Sequence, residues 1–252
     1  MLLVASVLGL LAGCRSAQPA ALDAELASCV PADTQLLAGV HLDQARANQT
    51  LQKLLMDWLA VLEPARDASQ LLIAYNGKDL LWAGRGAFHG APAGATLLNQ
   101  HVAVAGPAAL VQAAIAQHAT GRTGASELVA RAESIARAPV WAVAEGRARL
   151  PLQGNAANLN RLLGLADYNT FSIEVETGIA LHAAGFCPSA DKGRQLEETL
   201  RGLLSLAGSA TRDRELAALL RQVQIRRDDR TVRADVSGSA ETVERLLRAA
   251  ER

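Results

Sequence analysis

The chain has 252 residues, half of them hydrophobic, with 25 basic and 25 acidic side chains. This is enough to bury a substantial core in one large domain or two small ones. A formal net charge of zero and an aromatic content of 3% argue against the basic, aromatic surfaces on which nucleic acids bind. We therefore expect no nucleic-acid partner.

The chain begins with an apolar run, residues 1–13, which closes on the letters LAGC at positions 11–14. The run is too short to span a bilayer, which needs roughly 20 apolar residues. It matches the apolar region of a signal peptide followed by small residues. LAGC resembles the lipobox of bacterial lipoproteins, and this resemblance implies that Cys14 becomes the lipidated first residue of the mature chain. The alternatives are an ordinary secretory signal and a chance match.

Residues 14–28 are predicted to be a lipidated tether and lead-in. Between 15 and 21 the sequence shows no apolar period, and seven residues reach at most about 25 Å. The folded body should therefore stay close to the membrane. Through Cys14, the membrane itself is a predicted partner. The lipoprotein resemblance further implies a bacterial envelope location, with the outer membrane favoured over the inner because Arg15 rather than Asp follows the cysteine.

Two cysteines, Cys29 and Cys187, remain once Cys14 is assigned to lipid. In an oxidising compartment two thiols can form one disulfide, which would tie the lead-in to the second half of the chain. Small buried apolar residues are the alternative. The sequence leaves both open, because it does not show whether their Cα atoms come within about 7 Å.

In the first half, apolar alternation with period two and apolar stripes with period 3.6 predict strands and helices in turn. They are a strand at 36–42, a helix at 51–62, a hairpin of strands 71–75 and 80–88, a strand at 101–105 and a helix at 107–118. Asn76-Gly77 joins the hairpin strands and predicts a type I′ turn, since both central positions of that turn need positive φ.

The second half repeats this order with two extra helices and a further hairpin. The elements are a strand at 140–145, a helix at 158–165, hairpin strands 171–176 and 179–186, helices 196–207 and 214–220, hairpin strands 223–227 and 231–236, and a helix from 240. The strand-to-helix junction at 104–108 matches that at 236–240. We predict an internal duplication of residues 29–122 and 139–252, joined by a helix at 123–138. Unrelated junctions that share a glycine are the alternative.

Three short segments carry a resemblance for the body of the chain. Residues 30–34, 83–88 and 104–107 are similar to uncharacterised bacterial envelope proteins with tandem α+β repeats, of the domain-of-unknown-function type. The resemblance implies a fold and a compartment and supplies no catalytic residues. We predict an α+β fold, with antiparallel sheets, helices packed on one face, and a duplicated strand-helix-hairpin-helix unit.

One candidate for catalysis is the segment 189–192, in which Ser189 and Lys192 fit the S-x-x-K pattern of penicillin-binding proteins and serine β-lactamases. One helical turn would place the amine beside the hydroxyl. The companion Lys-Thr-Gly motif is missing from the sequence. The alternative is that Ser189 caps a helix and Lys192 is solvated on its first turn.

Glycines 84, 86 and 90 nearly match a dinucleotide-binding fingerprint, but the segment that follows them is rich in Gly, Pro and Ala. A phosphate site needs the N-terminus of a helix at that point. We interpret these glycines as close packing or a bulge in a strand.

The histidines are His41, His89, His101, His118 and His182. They form none of the local spacings typical of zinc sites, so we predict no metal or cofactor. His41 and His182, both on predicted strands, could meet on one sheet face with His101. Strand histidines at a partly wet face or a sheet edge are the alternative. His118 is predicted to cap the end of its helix.

Together these observations predict a non-enzymatic lipoprotein of the bacterial envelope that acts as a binding or structural module for an unidentified envelope protein or small ligand. One alternative is a lipid or small-molecule carrier, in which the apolar faces of sheet and helix part to form a cavity. The other is a serine hydrolase that uses Ser189 and Lys192.

Overall fold

The computed structural model describes residues 22–52, 55, 67–150, 159–175, 178–211, 213–243 and 245. LAGC with Cys14, the tether and most of the predicted helix at 51–62 lie outside these residues, as does most of the predicted C-terminal helix. No helix in the described part is both long enough and apolar enough to cross a membrane.

Within these residues, strands and helices alternate in an α+β arrangement. The strands are β1 (Leu36–His41), β2 (Ala68–Tyr75), β3 (Leu80–Gly86), β4 (Ala95–Leu97), β5 (Val102–Ala105), β6 (Val140–Glu145), β7 (Tyr168–Val175), β8 (Ile179–Phe186), β9 (Gln224–Asp228) and β10 (Thr231–Gly238). The helices are α1 (Ala24–Ala27), α2 (Leu42–Ala47), α3 (Ala108–Ala119), α4 (Ser126–Ala132), α5 (Leu159–Leu163), α6 (Ala190–Ala210) and α7 (Arg214–Gln222).

All ten described strands belong to one antiparallel sheet, in the order β4-β5-β3-β2-β1-β6-β7-β8-β10-β9. The two halves meet where β1 pairs with β6, with Ala38 opposite Ala142. This pairing satisfies backbone groups that two separate sheets would each leave open at an edge. The predicted α+β class with antiparallel pairing is therefore confirmed, and the strands form one continuous sheet.

Helices contact both faces of this sheet, because the central strands are apolar on both sides. Leu37 and Val143 point to one face, where α3 and α4 complete the first core cluster. The alternate residues point to the other face, where Leu196 of α6 packs with Val232 in a separate cluster. Each half thus places its longest described helix on a different face, rather than all helices on one.

The strand order repeats when each half is read outward from the centre, as β1-β2-β3-β5-β4 and as β6-β7-β8-β10-β9. The helices repeat in part: α2 follows β1 as α5 follows β6, whereas α6 and α7 precede β9 and residues 87–94 before β4 contain no helix. The internal duplication stays a prediction.

The predicted connecting helix at 123–138 is shorter in the structure. Its helical part is α4, whose Leu128 and Ala132 are buried. The chain then turns, and the carbonyl of Pro139 accepts a hydrogen bond from the backbone N–H of His41 at 2.8 Å. That bond leads directly into the pairing of β6 with β1, so the helix ends early to bring β6 alongside.

The hairpin of β2 and β3 is confirmed, but its turn is not type I′. Residues 76–79 connect the strands, and among them only Gly77 has positive φ, at 96°. The Asn76 side-chain oxygen instead accepts hydrogen bonds from the backbone N–H groups of Lys78 and Asp79, at 3.1 and 2.9 Å. A side-chain turn of this kind satisfies the loop without a second residue at positive φ.

Candidate functional site

An apolar cleft lies between the C-terminal half of the sheet and helices α5 and α6. Its volume is about 470 Å³. The walls come from one end of β1, from β6, β7, β8 and β10, and from the two helices. Sixteen lining residues belong to the described part of the chain: Leu36, Ala142, Ala144, Leu150, Leu162, Leu163, Asn169, Thr170, Phe171, Ala183, Ala184, Gly185, Leu196, Leu200, Val232 and Ala234.

Small side chains on adjacent strands create the space. Ala142 pairs with Phe171, Phe171 with Ala183, and Ala183 with Ala234, so these four residues share one sheet face. Successive side chains on a strand point to opposite faces, so alanine at alternate positions clears one face only. Leucines from α5 and α6 form the opposite wall. The strand alanines are too small to reach them, and the gap between sheet and helices remains open.

At one end the gap closes. A Cβ added to Gly185 would lie 2.7 Å from the Leu196 side chain. Real Cβ atoms do not approach this closely, so a larger residue at position 185 would displace the end of the Leu196 side chain. Gly185 therefore leaves room for Leu196 against β8.

Two of the described lining residues, Asn169 and Thr170, have polar side chains. Asn169 donates its side-chain amide to the carbonyl of Leu163 in α5, at 3.1 Å. Thr170 pairs with Val143 on β6, whose side chain packs in the cluster on the other face, so its hydroxyl points away from the cleft. None of the sixteen residues is charged. The site is suited to hold an apolar ligand and carries no acid, base or nucleophile.

Ser189 is the N-cap of α6, as the capping interpretation predicts. Its side-chain oxygen accepts a hydrogen bond from the Lys192 backbone N–H at 3.3 Å. The Lys192 ammonium donates to the side chain of Gln195 at 3.1 Å. The amine therefore interacts one turn further along the helix and does not activate the serine hydroxyl, so the geometry does not support the hydrolase alternative.

The histidines do not come together. His41 is buried, with one ring nitrogen 2.7 Å from the carbonyl of Ala136 and the other 3.0 Å from the Gln70 amide. His182 lies three strands away, which is about 14 Å at normal strand spacing, and its Nδ1 is 2.8 Å from Asp235. His101 precedes β5, on the far side of β1 from His182. The histidines that could have met on one sheet face are therefore kept apart by the central strands, and each has its own partners.

His118 lies in the last turn of α3, as predicted. Its Nδ1 is 2.7 Å from the hydroxyl of Ser28, which joins α3 to the end of α1. In the described part of the chain, no three His, Cys, Asp or Glu residues are grouped so that they could hold a metal ion.

Cys29 and Cys187 are both buried free thiols. Cys29 belongs to the core cluster of α3 and α4, and Cys187 to that of α6. These clusters lie on opposite faces of the sheet, so the sheet itself separates the two sulfur atoms. Burial raises the pKa of Cys29 to about 12 and also raises that of Cys187.

The glycine-rich segment packs closely, as interpreted from the sequence. A Cβ on Gly86 would collide with the backbone of Asp67, and the register between β2 and β3 shifts beside it, between Ala68 and Gln70. The segment ends β3 and opens no helix.

The cleft residues were not singled out in the sequence. Ala142 and Ala144 alternate along β6, as do Ala183 and Gly185 along β8, and this spacing is the one available signal. Small residues at alternate positions equally suit a face that packs closely against a neighbour. Only the position of α5 and α6 over these strands distinguishes a cleft from a filled core.

No protein-family model matches the chain, and no curated protein matches it significantly. Among solved structures, crystal form III of TP0453 is similar at a TM-score of 0.50 and 8% identity, covering 89% of this chain and 98% of that one. Crystal form I of TP0453 gives a TM-score of 0.49 at 6% identity, with 90% and 98% covered. At such identities the likeness concerns the fold alone. The chain therefore has an α+β fold similar to that of TP0453.

Proposed function

We propose that this protein is a lipid-anchored, non-catalytic module of the bacterial envelope that binds an acyl chain or a similar apolar ligand between α6 and the sheet. The observation that carries the proposal is the cleft of about 470 Å³, whose described lining residues include no charged side chain. Ligand pockets are mostly apolar and measure about 300 to 1,000 Å³.

A space of this size is unusual for packing alone. Protein interiors are close-packed, and voids larger than a water molecule are few. Apolar walls that face water in an open cleft cost free energy. A ligand with no polar atoms along its length would cover those walls without leaving a polar group of its own unpaired. This favours the carrier form of a binding module over a purely structural one.

The proposal predicts binding that depends on chain length. We expect straight-chain alcohols from octanol to hexadecanol to displace a neutral naphthylamine dye, whose fluorescence reports apolar sites. Each added methylene should strengthen binding about fourfold, or ~0.8 kcal/mol, until the cleft is full. Affinity that is weak and independent of chain length would contradict a cleft-shaped site.

Filling the cleft should abolish this binding. In Ala183→Leu the new side chain occupies the space between β8 and α6, so we expect at least a tenfold loss of alcohol affinity with the unfolding free energy nearly unchanged. Ala180→Leu is the matched control, since Ala180 lies on the same strand but pairs with Glu174 on the opposite face. Overpacking a filled core costs about 1–3 kcal/mol. Such a cost in Ala183→Leu, with affinity retained, would show that the cleft does not hold the ligand.

The anchor is supported by LAGC at positions 11–14, and Arg15 after the cysteine supports the outer membrane as the location. When bacterial cells are grown with radiolabelled palmitate, we expect the wild-type chain to become labelled. The Cys14→Ala variant should carry no label. Cys29→Ala, which removes a different cysteine, should keep the label. Label that persists in Cys14→Ala would rule out this cysteine as the lipidation site.

A further inference from the structure

A second, polar cleft of about 830 Å³ lies beside the apolar one, formed by α4, residues 145–149, α5 and the start of β7. Among the residues that the structure describes, four arginines and three acidic residues line it. Arg147 pairs with Glu145, and Arg131 lies 3.9 Å from Glu127 and 3.5 Å above the ring centre of Tyr168. Two of the arginines are therefore already engaged.

The other two, Arg149 and Arg161, are exposed and have no acidic partner in the described part of the chain. Residues 151–158, between them in sequence, contain no acidic residue either. Arginine remains protonated at any physiological pH. The polar cleft thus offers two guanidinium groups, with Asp167 as the third acidic residue on its lining.

The two clefts share a wall. On α5, Leu162 and Leu163 line the apolar cleft, whereas Asn160 and Arg161 line the polar one. The preceding loop divides in the same way, with Arg149 on the polar side and Leu150 on the apolar side. Each unpaired arginine is therefore followed directly by a leucine of the apolar cleft, with consecutive Cα atoms about 3.8 Å apart.

Asn160 holds this boundary in place. Its side chain accepts a hydrogen bond from the Leu150 backbone N–H at 2.9 Å and donates to the Leu150 carbonyl at 3.0 Å. This pair of bonds fixes the loop against α5. The arginines at the border are thereby attached to a defined edge of the apolar cleft.

We propose that the ligand is an amphipathic anion, whose acyl chain fills the apolar cleft and whose carboxylate or phosphate head binds Arg149 and Arg161. The inference rests on the proposed function and adds the chemistry of the head group. Guanidinium groups bind carboxylate and phosphate oxygens through paired, charge-assisted hydrogen bonds. A chain that leaves the apolar cleft at Leu150 or Leu162 enters the polar cleft that Arg149 and Arg161 line.

The test compares three ligands of equal chain length, tetradecanol, tetradecanoate and tetradecyl phosphate, by dye displacement from the full chain. The alcohol measures the chain site alone, and the difference between an anion and the alcohol measures the head site. We expect R149Q/R161Q to lose about fivefold or more in affinity for at least one anion while alcohol affinity is unchanged. The control R122Q/R137Q removes two exposed arginines outside both clefts and should change neither.

The Asp167→Asn variant provides an independent test of the head-group site in the same binding assay. Removing this carboxylate should strengthen anion binding and leave alcohol binding unchanged, which a disturbed fold would not do. The anion whose affinity changes more in these variants, tetradecanoate or tetradecyl phosphate, identifies the head group as a carboxylate or a phosphate. Anion binding that is insensitive to R149Q/R161Q, or equal losses for anion and alcohol, would overturn the head-group proposal while the chain site stands. If none of the three ligands binds, the proposed function fails and this inference fails with it.

Discussion

Burial decides the chemistry of Cys29. It is fully buried, with its sulfur 3.5 Å from the carbonyl of Glu25 and 3.8 Å from the ring of His118. Loss of hydration disfavours the thiolate, and the nearby carboxylate of Glu25 disfavours it further, so the pKa rises to about 12. Cys187 is shifted in the same direction, first by burial and then by Asp167. Because the thiolate is the reactive form, neither residue is a nucleophile in the folded state.

We therefore expect iodoacetamide to leave both thiols unmodified in the native protein over a time in which a free model thiol reacts fully. After unfolding in guanidinium without reductant, both Cys29 and Cys187 should be alkylated, as mapped by peptide mass spectrometry. If neither cysteine of the unfolded protein is alkylated until a reductant is added, the protein contains a disulfide between Cys29 and Cys187 instead. Such a result would require the two cysteines to meet around the sheet that separates them.

At the scale of single residues, the sequence predicted local roles and did not predict distances. The capping role of Ser189 follows from a serine before a helical stripe, and the structure confirms it. The meeting of His41 and His182 required knowledge of strand order, which depends on how β1 and β6 pair. No local pattern encodes that pairing.

Helix α6 is the element on which the site depends. Leu196 in its first half and Leu204 in its second half pack against the same cluster on the sheet, whereas Leu203 and Leu206 are exposed. At its N-terminal end Ser189 caps the helix, and Gly185 of β8 leaves room for Leu196.

Ser189→Ala should lower the free energy of unfolding by about 1 kcal/mol, the usual cost of losing an N-cap. Ser209→Ala, near the other end of the same helix, is the control and should change stability little, because its hydroxyl donates to the Leu206 carbonyl at an exposed position. Urea titrations measure both. The same samples test for catalysis: fluorophosphonate labelling of wild type that disappears in Ser189→Ala would establish a serine nucleophile and contradict the non-catalytic account.

Elements with strong apolar patterns were predictable, and those set by tertiary contacts were not. Strand β6 matches its predicted bounds, and the turn of β2 and β3 was placed correctly but assigned the wrong type. The sequence predicts no strand at β4, because Ala95–Leu97 lies in a segment rich in Gly, Ala and Pro. It forms because β5 offers an open edge, with Thr96 opposite Val104. The cleft was unpredictable for the same reason, since it arises where α5 and α6 stop short of small strand residues.

At the scale of the molecule, one sheet carries two different environments. The N-terminal half packs α3 and α4 against its large apolar residues in a filled cluster. The C-terminal half presents alanines on the opposite face and leaves a space below α6. The predicted membrane anchor at Cys14 would hold this cleft close to a source of acyl chains. Under the proposed function, the fold, the cleft and the predicted anchor would together bind an acyl ligand at the membrane surface.

The most direct test of this claim is to locate a bound chain by crystallography, using tetradecanol with bromine at its terminal carbon and the anomalous signal of the bromine. We expect one peak inside the cleft, beside Phe171, Ala183 and Leu196, with the chain lying along β7 and β8. A cleft filled by its own side chains, with bromine only on exposed apolar surface such as that around Leu203 and Leu206, would contradict the account.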